Sequence, residues 1–302
     1  MKNIILLLCL CFFSTQIFGQ LKLVGIEQTT YAKAKTTEGD NDEEVGFHEF
    51  SAFLNIPFKL KNGKTILLNG VDYMQVRSTL YDSPFFEEDK INKNLHSLSY
   101  ALTLIHKLSN NWTLLFRLKP TLASDFEAVI DNDDFFLLGT TMATRKFGAH
   151  ITAGGGIAYT TQTGEPLWLP VIKFQFKNQK NNLNVLIPSR ISYLRGLGEK
   201  KKIELGAKAA MNGGNFGVSL NQFRAADPAT IDGLIYSRTN LGLLAKVKIY
   251  QVVSLELFGG YSTNRAFKFE SNVINDPFEY NSEDGAFFSV GLSFSPKQKE
   301  SN

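Results

Sequence analysis

Cysteine is almost missing from this 302-residue chain, and its two cysteines, Cys9 and Cys11, lie close together near the N-terminus. If a leader ends at residue 19, the remaining segment 20–302 contains no cysteine at all. A segment without cysteine has no disulfide framework and no thiol nucleophile. Thiol chemistry and disulfide-stapled folds are therefore excluded for it.

The N-terminal segment has the layout of a secretory signal peptide. Lys2 precedes a short apolar run over 4–13, polar residues follow, and the small residue Gly19 comes next. This order of charge, apolar run and small residue predicts a signal peptide over 1–19. The run is too short to span a membrane as a helix, which needs about 20 apolar residues. We therefore expect an exported domain over 20–302.

Long apolar runs and strong charge are also lacking. The formal net charge is +3 and the mean hydropathy is -0.10. No window after residue 20 has the length or apolar content of a transmembrane helix, and no amphipathic helical spacing stands out there. No basic tract interleaved with aromatic residues occurs, so we expect no nucleic-acid partner.

What the chain does contain is a strict two-residue alternation. In 48–60 the apolar residues fall on every second position, with Ser51, Asn55 and Lys59 between them. The same period recurs over 95–106, 112–122, 168–176, 183–193, 203–209, 241–249 and 253–261. A period of two over such lengths predicts β-strands with one apolar face.

Short and long connections alternate between these strands. The short turns are predicted at 61–64, 107–111, 145–148, 177–182, 212–215 and 248–251. Longer polar stretches are predicted as loops at 33–43, 79–94, 125–134, 161–166, 195–202, 224–235 and 264–284. This layout predicts an antiparallel up-and-down meander of about 14 strands, with 12 as the alternative. The register stays open over 21–32 and over 65–77, where Asn69-Gly70 can hide a bulge.

A meander of this size must close into a barrel, and one face of each strand then points outward while the other lines the lumen. A barrel of about eight strands is just filled by its own side chains, and one of about 14 strands is too wide to be filled in that way. We therefore expect apolar residues outward, facing lipid, and polar residues inward. The sequence thus predicts a single all-β transmembrane barrel in the outer membrane, with outer-membrane lipid and the barrel-insertion machinery as partners.

Several stretches resemble a known family. They are Gln20 at the cleavage point, "RISYLRGLGEKKKIELG", "NGGNFGVSL" and the aromatic closing strand "AFFSVGLSFSP". With them the chain resembles a domain-of-unknown-function family of outer-membrane barrel proteins from Bacteroidota. The resemblance covers nearly all of 20–302 and implies the fold and the location. It brings no catalytic motif and no residue roles.

Charged residues on the polar faces are the most informative candidates for a site. Our phase of the alternation turns ten of them into the lumen: Arg117, Lys119, Lys173, Arg190, Lys208, Lys246, Lys248, Glu49, Glu204 and Glu256. Asp72 is a less certain member. Such a set either lines a conduit that favours anions or forms ion pairs across a closed lumen.

Enzymatic and metal motifs are weak by comparison. No G-x-S-x-G occurs, and the histidines lack metal-binding spacing. The acidic stretches 38–44 and 131–134 fit solvated loops better than a cation site. We expect no enzyme, no cofactor and no metal, although His48 or His96 at the outer rim leaves a lipid-modifying enzyme as a distant third hypothesis. The leading hypothesis is passage of small anionic or amphiphilic solutes. The second is an occluded structural or surface-interaction barrel with acidic external loops.

Overall fold

The computed structural model describes residues 22–36, 44–81, 90–127, 129–161, 166–199, 201–218, 233–270 and 278–296. The predicted signal peptide and most of the acidic stretch 38–44 lie outside these ranges. Fifteen strands occur within them: β1 (Val24–Lys35), β2 (Glu44–Lys59), β3 (Thr65–Tyr81), β4 (Lys90–Lys107), β5 (Trp112–Ser124), β6 (Phe135–Phe147), β7 (Ile151–Thr160), β8 (Leu167–Lys177), β9 (Asn181–Ile187), β10 (Arg190–Leu197), β11 (Ile203–Gly217), β12 (Gly233–Lys248), β13 (Val253–Glu270), β14 (Phe278–Ser282) and β15 (Gly285–Phe294).

Helical structure is scarce in these ranges. A single 3-10 turn over Asn132–Asp134 precedes β6, and its N-terminus is capped by the Asp131 side chain. No helix in the described part of the chain is long and apolar enough to cross a membrane.

The strands form one closed antiparallel ring. Each strand from β1 to β13 pairs with the next in the chain, and β15 joins β13 to β1. The short strand β14 pairs with the outer end of β13, and only Glu283 and Asp284 separate it from β15. β14 and β15 therefore occupy one position in the wall. The prediction of a closed all-β barrel with fourteen strands is confirmed.

The pattern missed one hairpin turn and predicted one turn that lies within a strand, so the two errors cancel in the strand count. The stretch 183–193, predicted as one strand, is the hairpin of β9 and β10 with a turn at Pro188 and Ser189. The predicted turn at 212–215 lies instead inside β11, which pairs with β12 in unbroken register through that stretch. The connection at 198–202 consequently lies on the short-turn side of the barrel. The first error arose because the alternation continues past the turn at Pro188. The second arose because a glycine pair, which usually marks a turn, here continues a strand.

The faces of the strands have the predicted polarity. Large apolar side chains point outward, with Leu243 76% exposed and the aromatic rings of Trp112 and Trp168 at the inner and outer ends of their strands. The registers left open are now defined: Ile26 points outward and Asp72 inward. Pairing runs unbroken past Asn69-Gly70, whereas the pairing of β1 with β2 shifts register after Tyr31.

The glycine run 154–156 on β7 brings neighbouring strands unusually close. A β-carbon on Gly154 would overlap the carbonyl oxygen of Ala143, and one on Gly156 would overlap that of Thr141. Only glycine permits this approach of β7 to β6, as expected for a curved part of a barrel wall.

The barrel narrows at its outer end. The outer ends of β6 to β10 stop short of the outer ends of β5 and β11. Beyond them, Gly217 at the end of β11 forms a parallel bridge with Ser124 at the end of β5. The Asp125 amide donates to the Gly217 carbonyl across the same seam, at 3.0 Å. Nine wall positions therefore close the outer end: β1 to β5 and β11 to β14. A ring of that size can be filled by its own side chains, whereas the fourteen-strand section below cannot.

The outward apolar band is open to a direct test. Leu243 lies five residues from the inner end of β12, close to the middle of a membrane-spanning band of about 25 Å. Leu243→Arg is expected to lower the stability of the inserted barrel by about 2 to 4 kcal/mol, because arginine then faces lipid. The matched control is Thr152→Arg, whose side chain faces the interior from β7. Folding into lipid vesicles measures both, and equal damage would contradict an outward lipid face.

Candidate functional site: the barrel interior

All ten charged residues predicted for the lumen lie on the strand face opposite the exposed apolar residues. The register places them at two heights. Glu49 lies in the narrow outer end, and the other nine lie in the wide inner section. Whether solutes pass them stays a prediction, and their surroundings are given below.

Asp72 joins two of the predicted cations. Its carboxylate lies 3.5 Å from the Arg117 guanidinium and 3.3 Å from Lys119 Nζ. The Arg117 side chain is 43% exposed although it faces the interior. Water therefore reaches this part of the lumen, and one carboxylate shared by two cations leaves a net positive charge.

A second set of ion pairs lies nearer the inner end. Glu256 accepts from Lys22 at 2.7 Å and lies 3.4 Å from Lys246. Glu204 lies 3.5 Å from Lys248. As with Asp72, the Glu256 carboxylate is shared between two cations, so the set has a surplus of positive charge.

Three further cations form what we call the basic patch: Lys173, Arg190 and Lys208. Lys173 and Arg190 flank Leu186 of β9 at the same height, about 10 Å apart by strand spacing. Lys208 on the adjacent β11 lies opposite Ser192 of β10. Among the residues that the structure describes, no carboxylate lies within ion-pair distance of these three cations. Lys208 Nζ instead lies 4.5 Å from the ring centre of Phe258.

Glu49 has a different environment, because it is buried and paired with Arg238. The two side chains are 11% and 6% exposed and form a direct ion pair. Tyr236 donates its hydroxyl hydrogen to Glu49 at 2.7 Å, and Arg238 Nε donates to the Tyr31 hydroxyl at 2.6 Å. Asn240 also donates to Tyr31, at 2.9 Å. Since buried charges are stable only when paired and hydrogen-bonded, this network holds the two walls of the narrow end together.

Aromatic rings pack directly around this ion pair. Phe47 stacks on Phe267 with ring centres 4.7 Å apart, and Tyr236 lies 6.1 Å from Phe267 and 6.2 Å from Phe216. Phe216 is fully buried. We call these rings and the ion pair that they surround the outer layer. Its members are Tyr31, Phe47, Glu49, Phe216, Tyr236, Arg238 and Phe267. The outer layer fills the nine-strand end of the barrel.

Sequence reasoning missed most of the outer layer. Tyr236 and Arg238 fall in the same phase of β12 as Asn240, Lys246 and Lys248, so extending the alternation outward from Asn240 by two residue pairs would have placed them inside. The pattern carries no signal that they meet Glu49, which lies far away along the chain.

A cavity of about 390 Å³ lies beneath the outer layer. Charged side chains line its inner part, including Glu27, Asp72, Lys119 and Lys208, and the Glu49–Arg238 pair lines its outer end. Apolar side chains form one wall, including Met74, Phe136, Leu138 and Phe216. Its size falls in the range of small-molecule pockets.

His48 and His96 each contact a hydroxyl group on a neighbouring strand. His48 lies 3.3 Å from the Thr30 hydroxyl on the outward face, and His96 lies 2.8 Å from the Tyr73 hydroxyl. In the described ranges no three histidine, cysteine or acidic side chains gather as metal ligands would.

Fold and interior together define a class: a closed fourteen-strand β-barrel with an outward apolar band and a charged interior. The chain belongs to the family described as "Domain of unknown function (DUF6268)", which matches residues 12–295. No curated protein matches it. Origin from Bacteroidota stays a prediction.

The chain is similar to several solved structures at low identity and low TM-score. The translocator domain of the autotransporter NalP from Neisseria meningitidis is 13% identical, with 97% of this chain and 94% of that chain covered and a TM-score of 0.37. The toluene transporter TodX from P. putida is 10% identical, with 92% and 90% covered and a TM-score of 0.42. The transport unit of the autotransporter AIDA-I from Escherichia coli is 8% identical, with 97% and 98% covered and a TM-score of 0.36.

Proposed function

We propose that the protein resides in the outer membrane and passes small anionic solutes through its interior. The observation that carries this proposal is the basic patch. Three interior cations without an ion-pair partner among the described residues attract anions, and the effect is strong in a confined passage with low-dielectric walls. Asp72 and Glu256 are each shared by two cations, and this sharing leaves a further surplus of positive charge.

The outer layer gives this passage one closed end. Its aromatic rings and its Glu49–Arg238 pair leave little room for an ion at the nine-strand end. A channel function therefore requires that the outer layer move. The same packing supports a second candidate function, in which the barrel is permanently occluded and acts as a structural or surface-interaction protein.

Two further partners belong to this proposal. The outward apolar band is suited to outer-membrane lipid. The closing strand β15 carries outward Phe288, Val290 and Leu292, and we propose it as the segment that the barrel-insertion machinery recognises.

Planar-bilayer recording separates the two candidate functions. The purified barrel is expected to conduct, with a reversal potential across a KCl gradient that shows anion preference. The preference should weaken as the salt rises from 0.1 M to 1 M, because the Debye length falls from about 10 Å to about 3 Å. An inserted barrel that shows no conductance, both as the natural chain and with Glu49→Ala in the outer layer, would support the occluded barrel instead.

A further inference from the structure

The cavity beneath the outer layer lies where the charged and the apolar parts of the interior meet. We propose that it binds a small amphiphilic anion, with the anionic head toward the inner section and an aliphatic tail toward the outer layer. This rests on the proposed function and narrows its anionic solute to one chemical class.

Two cations and two carboxylates line the head end of the cavity, and the neighbouring Arg117, which shares Asp72 with Lys119, gives this end a surplus of one positive charge. Lys208 reaches it from β11, and Lys119 reaches it from β5. Asp72 pairs with both Arg117 and Lys119, but its single negative charge neutralises only one of them. Glu27 also lines this end, where it accepts a hydrogen bond from the Ser289 hydroxyl at 2.7 Å. Lys208 and Arg190 of the basic patch lie on adjacent strands, so an anionic head at Lys208 meets a second cation nearby.

The tail end begins one residue pair further out. Lys119 on β5 lies opposite Leu138 on β6, and the next inward-facing pair toward the outer end is Thr121 and Phe136. Phe136 and Met74 both pack against the apolar core that contains Phe216. An apolar wall of Phe136, Leu138 and Met74 therefore runs outward from the charged end within one cavity, beside the self-paired Glu49 and Arg238.

Binding of octanoate to the full chain in lipid nanodiscs tests the proposal by calorimetry. Affinity is expected to rise about fourfold for each methylene from butanoate to octanoate, the value for burying one methylene. Acetate and octanol, each lacking one half of the ligand, should bind at least about tenfold more weakly than octanoate. Empty nanodiscs correct for octanoate that enters the lipid.

Two variants assign the two ends. Lys208→Met should weaken octanoate binding about tenfold and leave octanol binding unchanged. Phe136→Ser, with Leu138→Asn as a second variant, should flatten the chain-length dependence. Lys64→Met, in the turn between β2 and β3, is the matched control and should bind like the natural chain. Circular dichroism verifies that each variant retains its strands.

Three results would overturn the assignment. These are equal affinity for acetate and octanoate, octanoate binding that none of the interior variants changes, and no saturable binding of octanoate. Failure of this site and failure of the channel remain distinguishable. A barrel that conducts anions but does not bind octanoate loses only the amphiphile site, whereas one that binds octanoate but never conducts loses only the channel.

Discussion

Replacing Glu49 by alanine is expected to lower the free energy of unfolding by about 3 to 5 kcal/mol, because it leaves a buried guanidinium without its counter-ion. Arg238 is only 6% exposed, so solvent has little access to replace the lost carboxylate. Tyr236 loses its hydrogen-bond acceptor at the same time. The two walls of the narrow end are then held together less tightly, so water enters between them more easily. We expect larger or more frequent openings in planar-bilayer recordings.

Glu204→Ala is the matched control for this change. It removes an interior carboxylate of the same type, but its partner Lys248 is exposed to water. Its expected cost is about 1 kcal/mol or less. The double variant Glu49→Leu with Arg238→Met should recover most of the stability, since it removes both buried charges. Equal losses for Glu49→Ala and Glu204→Ala, measured by urea unfolding, would show that the outer layer does not depend on this ion pair.

Changing Lys173 and Arg190 together to glutamate is expected to reverse ion selectivity from anions to cations. The change replaces two positive charges on the inner wall with two negative ones. Among the described residues, no carboxylate lies within ion-pair distance of Lys173 or Arg190 in the natural chain. Charged rings of this kind alter local ion concentrations about tenfold or more. The sign of the reversal potential across a KCl gradient measures the effect.

A control with the same change in net charge is available on the other face of the same hairpin. Lys180 lies in the turn before β9 and Arg195 points outward from β10, so Lys180→Glu with Arg195→Glu leaves the interior unchanged. This control should keep anion preference. If both double variants alter the reversal potential equally, the selectivity arises from overall charge rather than from the basic patch.

The two-residue period was sufficient to predict the class of fold and the direction of its faces. The alternation over 48–60 and 241–249 assigns each side chain to one of two faces, and closure of a wide meander requires the apolar face to point outward. For this reason the inward position of Glu204, Glu256 and Lys246 follows from the pattern. Hairpin boundaries were less certain. In a single sequence, the turn at Pro188 looks like the interior of a strand, and the glycine pair inside β11 looks like a turn.

What only the tertiary structure decided is the shape of the interior and its partners. A period of two specifies a face, but it carries no information about the height of a residue along the barrel axis or about the strand across the lumen. The seam between Ser124 and Gly217 narrows fourteen strands to nine, and this contact joins strands that are six positions apart in the wall. The seam and the pairing of Glu49 with Arg238, 189 residues away, arise from how the barrel closes in three dimensions. The chain thus specifies by local alternation that it forms a barrel, and long-range packing determines that one end is hydrated and basic while the other is filled.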